Sequence, residues 1–533
     1  MLKDNENQFL KGTVALSLSV ILTKILGVLF KVPLSYILGD DGMGYFNSAY
    51  AIYGFFYILC TAGVPKSLTL ILAKNRIENA GEGEEAILKT GLRLFGLIGG
   101  VCTLTNILCA PAFIYIIGNS RAYWSLIAVA PSIMFVSMSG VLRGYLNSHE
   151  RLSEVAVSQL IEGGVKLALG LLLAYAGVKV KAPIYIISAL AILGITVGCL
   201  ISFWYMYIKS NNLKKKNKIG QSSKLSRRKI NTEIVKNALP ISLSSSLLNI
   251  CAVLDLTIII KQLIASGLSE QQANSVYGNY TTLAVPMFNL VIAVLTPIAT
   301  SYMSRLSHFG LIDDKAGFMK NFNSLIFITA FVAVPASVSF ILYSFDILDV
   351  LFSVQSSAVG AETLTYLSVG LPFLSLLTAV NTALESKRKI GISVVSLLCG
   401  AAVKIVVSYV LISKYNFGIL GAPIGTAFSY FVSLMISTFS LEACGVRTRL
   451  LRMMLSMYII STVSFYFPYK LIYSSSLFGS SFVSMAISLI ISFSAYLALT
   501  LFFTLLKRKI FKIHKKKLST LGEWTKITFV KSK

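Results

Sequence analysis

Apolar residues run along this chain in long blocks separated by short polar connections. About fourteen such blocks recur, at 10–38, 45–73, 90–111, 122–146, 155–177, 183–208, 238–265, 276–304, 321–345, 362–386, 390–412, 419–441, 453–473 and 478–506. Each is close to the ~20 residues that a helix needs to cross a bilayer. The pattern therefore predicts an all-α polytopic membrane protein with about fourteen transmembrane helices. The first block is too long for the apolar region of a signal peptide and lacks a small-residue cleavage site, so it reads as a retained helix.

Spacings repeat between the two halves. Tyr45 to Pro65 and Tyr277 to Pro297 are both twenty residues apart, as are Leu146 to Lys166 and Leu384 to Lys404. Ala182-Pro183 before the sixth block matches Ala422-Pro423 at the twelfth. Two copies of a six-helix unit explain these offsets. Six spans return the chain to its starting face, so the copies form a parallel repeat about an axis along the membrane normal. The expected organisation is an N-lobe over 1–208, a basic linker over 209–236, a C-lobe over 237–441, two added helices over 442–506 and a basic tail over 507–533. Two lobes with a cavity between them suit alternating access. A channel would need a filter-like loop or rings of charge, and neither is seen.

Composition supports the membrane class: 55% of residues are hydrophobic and 13% charged, against ~25% charged in soluble domains. A net charge of +26 raises the question of nucleic acid, and its placement answers against it. The linker 209–236 and the tail from Lys507 hold about ten Lys or Arg each, and 387–389 reads Lys-Arg-Lys. Segments on that face collect roughly 36 of the 48 basic residues, and the opposite loops about five. This is the positive-inside asymmetry, which predicts a plasma-membrane protein with both termini in the cytoplasm. The basic tail is expected to rest on anionic lipid headgroups. The seven cysteines show no CxxC pair and the three histidines are scattered, so packing is the expected cysteine role, with no metal site.

Charges inside the blocks are few, and each costs roughly 2.5–3.5 kcal/mol at the bilayer centre, so they normally face protein or a water-filled cavity. Lys24 and Lys31 are seven apart, almost two helical turns, and share one face. A helix presenting two cations inward suits an anion. For Lys24 the alternative is a buried ion pair; for Lys31 it is snorkelling to the headgroups. Lys66 follows Gly63-Val64-Pro65, where the second helix is expected to bend or open, and either contacts a phosphate or snorkels. Glu162 and Lys166 are four apart with the acid first, which predicts a structural ion pair along one helix. Lys404, the repeat mate of Lys166, has Gly400 where that acid would be, so it lines a cavity or pairs across helices. Asp255 either neutralises a lysine or binds a coupling ion or proton, and Lys261, six residues on, points to another face and is a further candidate for the cavity or for ion coupling. Asn249, Asn289 and Asn381 are expected to hydrogen-bond between helices. Asp40 and Asp41 sit in Gly39-Asp-Asp-Gly-Met-Gly, expected to be an exposed turn between the first two helices. No Walker A pattern and no catalytic constellation is present, so an enzyme is not expected, nor a cofactor.

The opening segment carries a resemblance. Phe9-Leu-Lys-Gly-Thr, Lys24-Ile-Leu-Gly, Leu38-Gly-Asp-Asp-Gly-Met-Gly-Tyr-Phe-Asn-Ser-Ala-Tyr and Thr61-Ala-Gly-Val-Pro resemble the stage V sporulation protein B and oligosaccharide flippase branch of the MOP flippase superfamily. That superfamily also holds lipid II flippases of the mouse virulence factor type and the MATE drug exporters. The resemblance implies two lobes set as a V, moving undecaprenyl-diphosphate-linked sugars from the inner to the outer leaflet. It implies a diphosphate contact for Lys24, and for Lys31 with a one-residue offset; Lys66 is the third candidate. Relatives also place arginines on helices two and eight, at positions that fall near Ile58 and Thr281 here. The last two helices resemble those that form a lipid-tail groove in the lipid II flippases. A Na+ or H+ gradient and the membrane potential are the alternative energy sources, and a monomer is expected. The rival readings are a cation-coupled multidrug exporter and a non-transporting scaffold for envelope or spore-wall assembly.

The charge asymmetry makes a direct prediction about topology. In intact cells, Ser222→Cys in the linker should resist an impermeant thiol reagent and label only after permeabilisation. Labelling in intact cells would reverse the assigned orientation.

Overall fold

In a computed structural model the described residues are 2–79, 83–217, 227–311, 314–352, 354–415, 417–446, 450–473 and 482–503. Residues 218–226 of the linker, with Ser222, and the tail 507–533 lie outside them, as does the side chain of Asn249. Among the described residues the regular structure is helical throughout, and every expected apolar block falls on a helix. The chain runs α1 (Leu2–Thr61), α2 (Val64–Asn79), α3 (Glu84–Ile117), α4 (Tyr123–Ser148), α5 (Leu152–Lys179), α6 (Ile184–Asn217), α7 (Arg227–Ala265) and α8 (Glu270–Asn279). It continues through α9 (Val285–Leu311), α10 (Lys315–Leu351), α11 (Val354–Val369), α12 (Leu371–Ser386), α13 (Ile390–Ser413), α14 (Gly421–Ala443) and α15 (Leu450–Pro468). The last described helix is α16 (Phe482–Phe503).

The sixty residues of α1 are two arms, because Gly39 takes φ 62° and ψ −173° and turns the chain back on itself. That left-handed φ is readily open only to glycine. The reversal brings Phe30 within 5.8 Å of Phe46, ring centre to ring centre. Helix resumes at Asp40, so the expected exposed turn over 39–44 is instead a one-residue hinge with both acids half-buried. The second arm stops at Thr61 and α2 starts at Val64, the break expected beside Pro65.

Helices α1 to α6 pack on one another, and α8 to α14 form a second bundle, with α7 lying against both α1 to α3 and α13. The most extensive packing in each bundle is the corresponding pair, α5 on α6 and α13 on α14. Small residues make both possible: a Cβ on Gly194 would sit 2.6 Å from the Gly170 backbone, and one on Gly400 2.7 Å from the Ser429 carbonyl. Close backbone approach of this kind replaces the hydrophobic drive that lipid removes. Asn381 of α12 makes the expected interhelical bond, accepting from Ser437 of α14 at 2.8 Å. Helices α15 and α16 dock on α10, where Tyr343 and Ser488 hydroxyls meet at 2.6 Å and Tyr496 donates to the Phe331 carbonyl at 3.1 Å.

The bundles meet at the Gly39 end. Asn279 Nδ2 donates to Asp40 at 3.1 Å, Asn274 Nδ2 to the Asp41 carbonyl at 2.8 Å, and Gln271 Nε2 to the Asp41 carboxylate. Helix α8 is held in register by a capping box between Ser269 and Gln272. Gly44 and Gly278 let the two backbones touch: a Cβ on Gly44 would lie 2.4 Å from the Asn274 carbonyl, and one on Gly278 2.6 Å from that of Asp40. Backbone atoms cannot swing away as a flexible side chain can, so any larger residue must part the helices. With Asp41→Cys and Gln271→Cys as reporters, oxidation should cross-link the bundles efficiently. Adding Gly278→Leu should cut that yield at least fivefold; an unchanged yield would mean the glycine contact does not hold this end closed.

Candidate functional site

A cavity of about 550 Å³ lies between the two arms of α1, α5, α6 and the start of α9. Its cations are Lys24 and Lys31 from the first arm and Lys166 from α5; its carboxylate, among the described residues, is Glu162. Asn289 and Pro286 of α9 form the wall contributed by the second bundle. Phe46, Tyr50, Tyr53 and Tyr57 line the second arm at helical spacing, with successive ring centres 5.7–6.0 Å apart.

Lys24 is exposed to this cavity and makes no ion pair among the described residues. Lys31 does not snorkel. Its Nζ donates to Asn47 Oδ1 at 3.2 Å and to the Thr281 carbonyl at 3.0 Å, and Asn47 Nδ2 donates in turn to Thr282 Oγ1 at 2.7 Å. The Thr281 carbonyl is free for a local reason. Residues Tyr280–Ala284 form a single wide π turn, in which the Val285 N–H bonds the Tyr280 carbonyl. The next residue, Pro286, has no N–H to offer, so the Thr281 carbonyl takes a lysine instead.

Glu162 and Lys166 do not pair as their spacing predicts. Arg143 of α4 reaches Glu162 at 2.8 Å, with 12% and 24% of the two side chains exposed. A guanidinium offers a planar fork that fits a carboxylate better than an ammonium does, and it comes from a helix packed alongside rather than from the same one. Lys166 is left over two aromatic faces, 5.1 Å from the Phe30 centroid and 4.9 Å from that of Tyr50. Such faces attract a cation without cancelling its charge.

The other candidate residues lie apart from this cavity. Lys66 is exposed on α2 and faces Glu385 of α12. Asp255 and Lys404 form a buried ion pair between α7 and α13 at 2.7 Å, so the acid neutralises a lysine and neither lines the cavity. Lys261 is exposed near the end of α7, beside Gly118, and is not a cavity residue either. Ile58 and Thr281 do stand at the site, one as an apolar wall and one through its carbonyl. Sequence reasoning missed Arg143 and the cavity role of Lys166. It also passed over the aromatic stripe 46, 50, 53 and 57, whose spacing was visible in the chain.

The cavity is thus apolar and aromatic, with three lysines and a carboxylate already paired with Arg143. Stage V sporulation protein B of Bacillus subtilis is 23% identical over 429 residues, covering 78% of this chain and 80% of that protein. The lipid II flippase MurJ of the same organism is 24% identical over 446 residues, covering 80% and 81%. A solved structure of a lipid II flippase MurJ in an inward closed conformation matches with a TM-score of 0.70 at 16% identity, over 92% of this chain and 98% of that one. The same multi-pass helical fold is found in a solved inward-facing multidrug resistance MATE family transporter of the MOP superfamily, with a TM-score of 0.65 at 14% identity over 81% of this chain and 97% of that one. The model of the polysaccharide biosynthesis protein family matches residues 9–308, more than half of the chain, and the chain belongs to that family.

Proposed function

We propose that this protein is a flippase that carries undecaprenyl-diphosphate-linked sugars, lipid II or a lipid-linked oligosaccharide, to the outer leaflet by alternating access. The observation that carries this reading is the charge of one cavity: among the described residues, Lys24, Lys31 and Lys166 against one carboxylate that Arg143 already holds. A diphosphate headgroup would sit among the ammonium groups while its polyprenyl tail stays in lipid. The relatives named as a lipid II flippase and a sporulation protein support this substrate class. With the linker end cytoplasmic, the bundles are closed together on the outside by the Gly44–Gly278 contact, and the headgroup enters from the inside. The basic linker and tail would rest on anionic lipids, and one chain supplies the whole cavity.

Sign separates this reading from a multidrug exporter. Organic cations need an acidic cavity, and like charges in a low dielectric repel strongly. In liposomes the protein should bind a polyprenyl-diphosphate sugar, with inorganic pyrophosphate competing weakly. Export of ethidium against a Na+ or H+ gradient, without binding of the diphosphate lipid, would place it with the exporters.

Lys24→Ala should reduce transport more than tenfold at unchanged expression and thermal stability, because it removes an anion contact and no packing. Lys24→Arg should keep part of the activity, its fork meeting phosphate differently. Full complementation by Lys24→Ala in a depleted strain would favour the scaffold reading.

A further inference from the structure

Arg143 does not itself line the cavity, yet through Glu162 it decides the charge that the cavity presents. Glu162 and Lys166 sit one helical turn apart on α5, the acid N-terminal to the base, an arrangement that favours their mutual pairing. The carboxylate instead goes to Arg143 of α4 at 2.8 Å. Tyr57, a cavity residue, lies beside the same guanidinium. The consequence is that the Lys166 ammonium keeps its full charge over Phe30 and Tyr50, facing the same space as Lys24 and Lys31.

The second bundle shows the other outcome of the same choice. Lys404, at the corresponding place on α13, has glycine one turn earlier and is neutralised by Asp255 of α7. The two lysines hold corresponding positions, and Lys166, whose nearest acid is taken elsewhere, lines this cavity while Lys404 does not.

We propose that Arg143 is a positioning and specificity-determining residue: by sequestering Glu162, the one carboxylate that lines the cavity among the described residues, it withholds that charge from Lys166 and keeps the site selective for anions. The functional consequence rests on the flippase reading, but the electrostatic one does not. Without Arg143, Glu162 turns to Lys166 and the cavity loses one net positive charge. Replacing the buried pair by neutral residues restores the lysine, since removing both partners leaves no uncompensated charge.

The test reads the potential of the cavity directly. Asn289→Cys places a thiol on the wall opposite α5 in the full-length protein. Its rates of modification by anionic sulfonatoethyl and cationic trimethylammonioethyl methanethiosulfonate are compared, after subtracting reaction of the parent chain. Arg143→Met should lower the anion-to-cation rate ratio about fivefold. Arg143→Met/Glu162→Gln should return it to within about twofold of the starting value, and Glu162→Gln alone should raise it. A ratio unmoved by the single substitutions, or a double variant as low as Arg143→Met, would overturn the inference. Glu162→Gln carries the test if Arg143→Met fails to fold. In parallel, binding of undecaprenyl diphosphate should weaken about tenfold in Arg143→Met and recover in the double variant. Ratios in the expected order with no lipid binding by the parent would sink the flippase reading and leave the role of Arg143 standing. Lipid binding with unmoved ratios would do the reverse.

Discussion

A cation at bilayer depth must be compensated, hydrated or put to use, and the first bundle has more such cations than acids to meet them. Lys24, Lys31, Lys166 and Arg143 stand around one region, with Glu162 as the carboxylate among them. The way these four cations share one acid organises the site. The guanidinium takes the acid, two aromatic rings receive Lys166, neutral oxygens receive Lys31, and Lys24 faces open space. Net positive charge survives in the cavity because none of the last three arrangements cancels it.

The Lys31 contacts also tie this charge to the relation between the bundles. Its partner carbonyl belongs to the π turn that links α8 to α9, and Asn47 grips the neighbouring Thr282. Helix α8 is the element whose Gly278 lies against Gly44. A charge in the cavity and the contact that closes the Gly39 end are therefore joined through one short segment. Any displacement of the second bundle would carry the Thr281 carbonyl and Thr282 with it and so change the surroundings of Lys31.

The two bundles use related scaffolds to opposite electrostatic ends. Small-residue packing joins α5 to α6 and α13 to α14 in the same manner, and each bundle carries a lysine at the matching place. Asp255 neutralises one of them inside the protein, while the other remains charged beside the cavity. The lysines that line the cavity thus come from the first bundle, while the matching lysine of the second is paired with an acid.

The amino-acid sequence alone determined the all-α membrane class and where the helical blocks lie, because both are written in local quantities: composition and apolar length. It also determined that Lys24 and Lys31 share a face, since helical periodicity relates residues seven apart, and that the second helix breaks beside Pro65. Tertiary structure decided the partners. Glu162 had a good local partner in Lys166 and found a better-shaped one in Arg143, nineteen residues away on another helix. Asp255 met Lys404 across 149 positions of chain, and Asp40 and Asp41 became a contact between bundles where a solvated turn was expected. Lys66 and Lys261, as plausible as Lys24 by composition, fell outside the cavity. Periodicity states which face of a helix a charge occupies, but which neighbour meets that face depends on how helices distant in the chain come to pack.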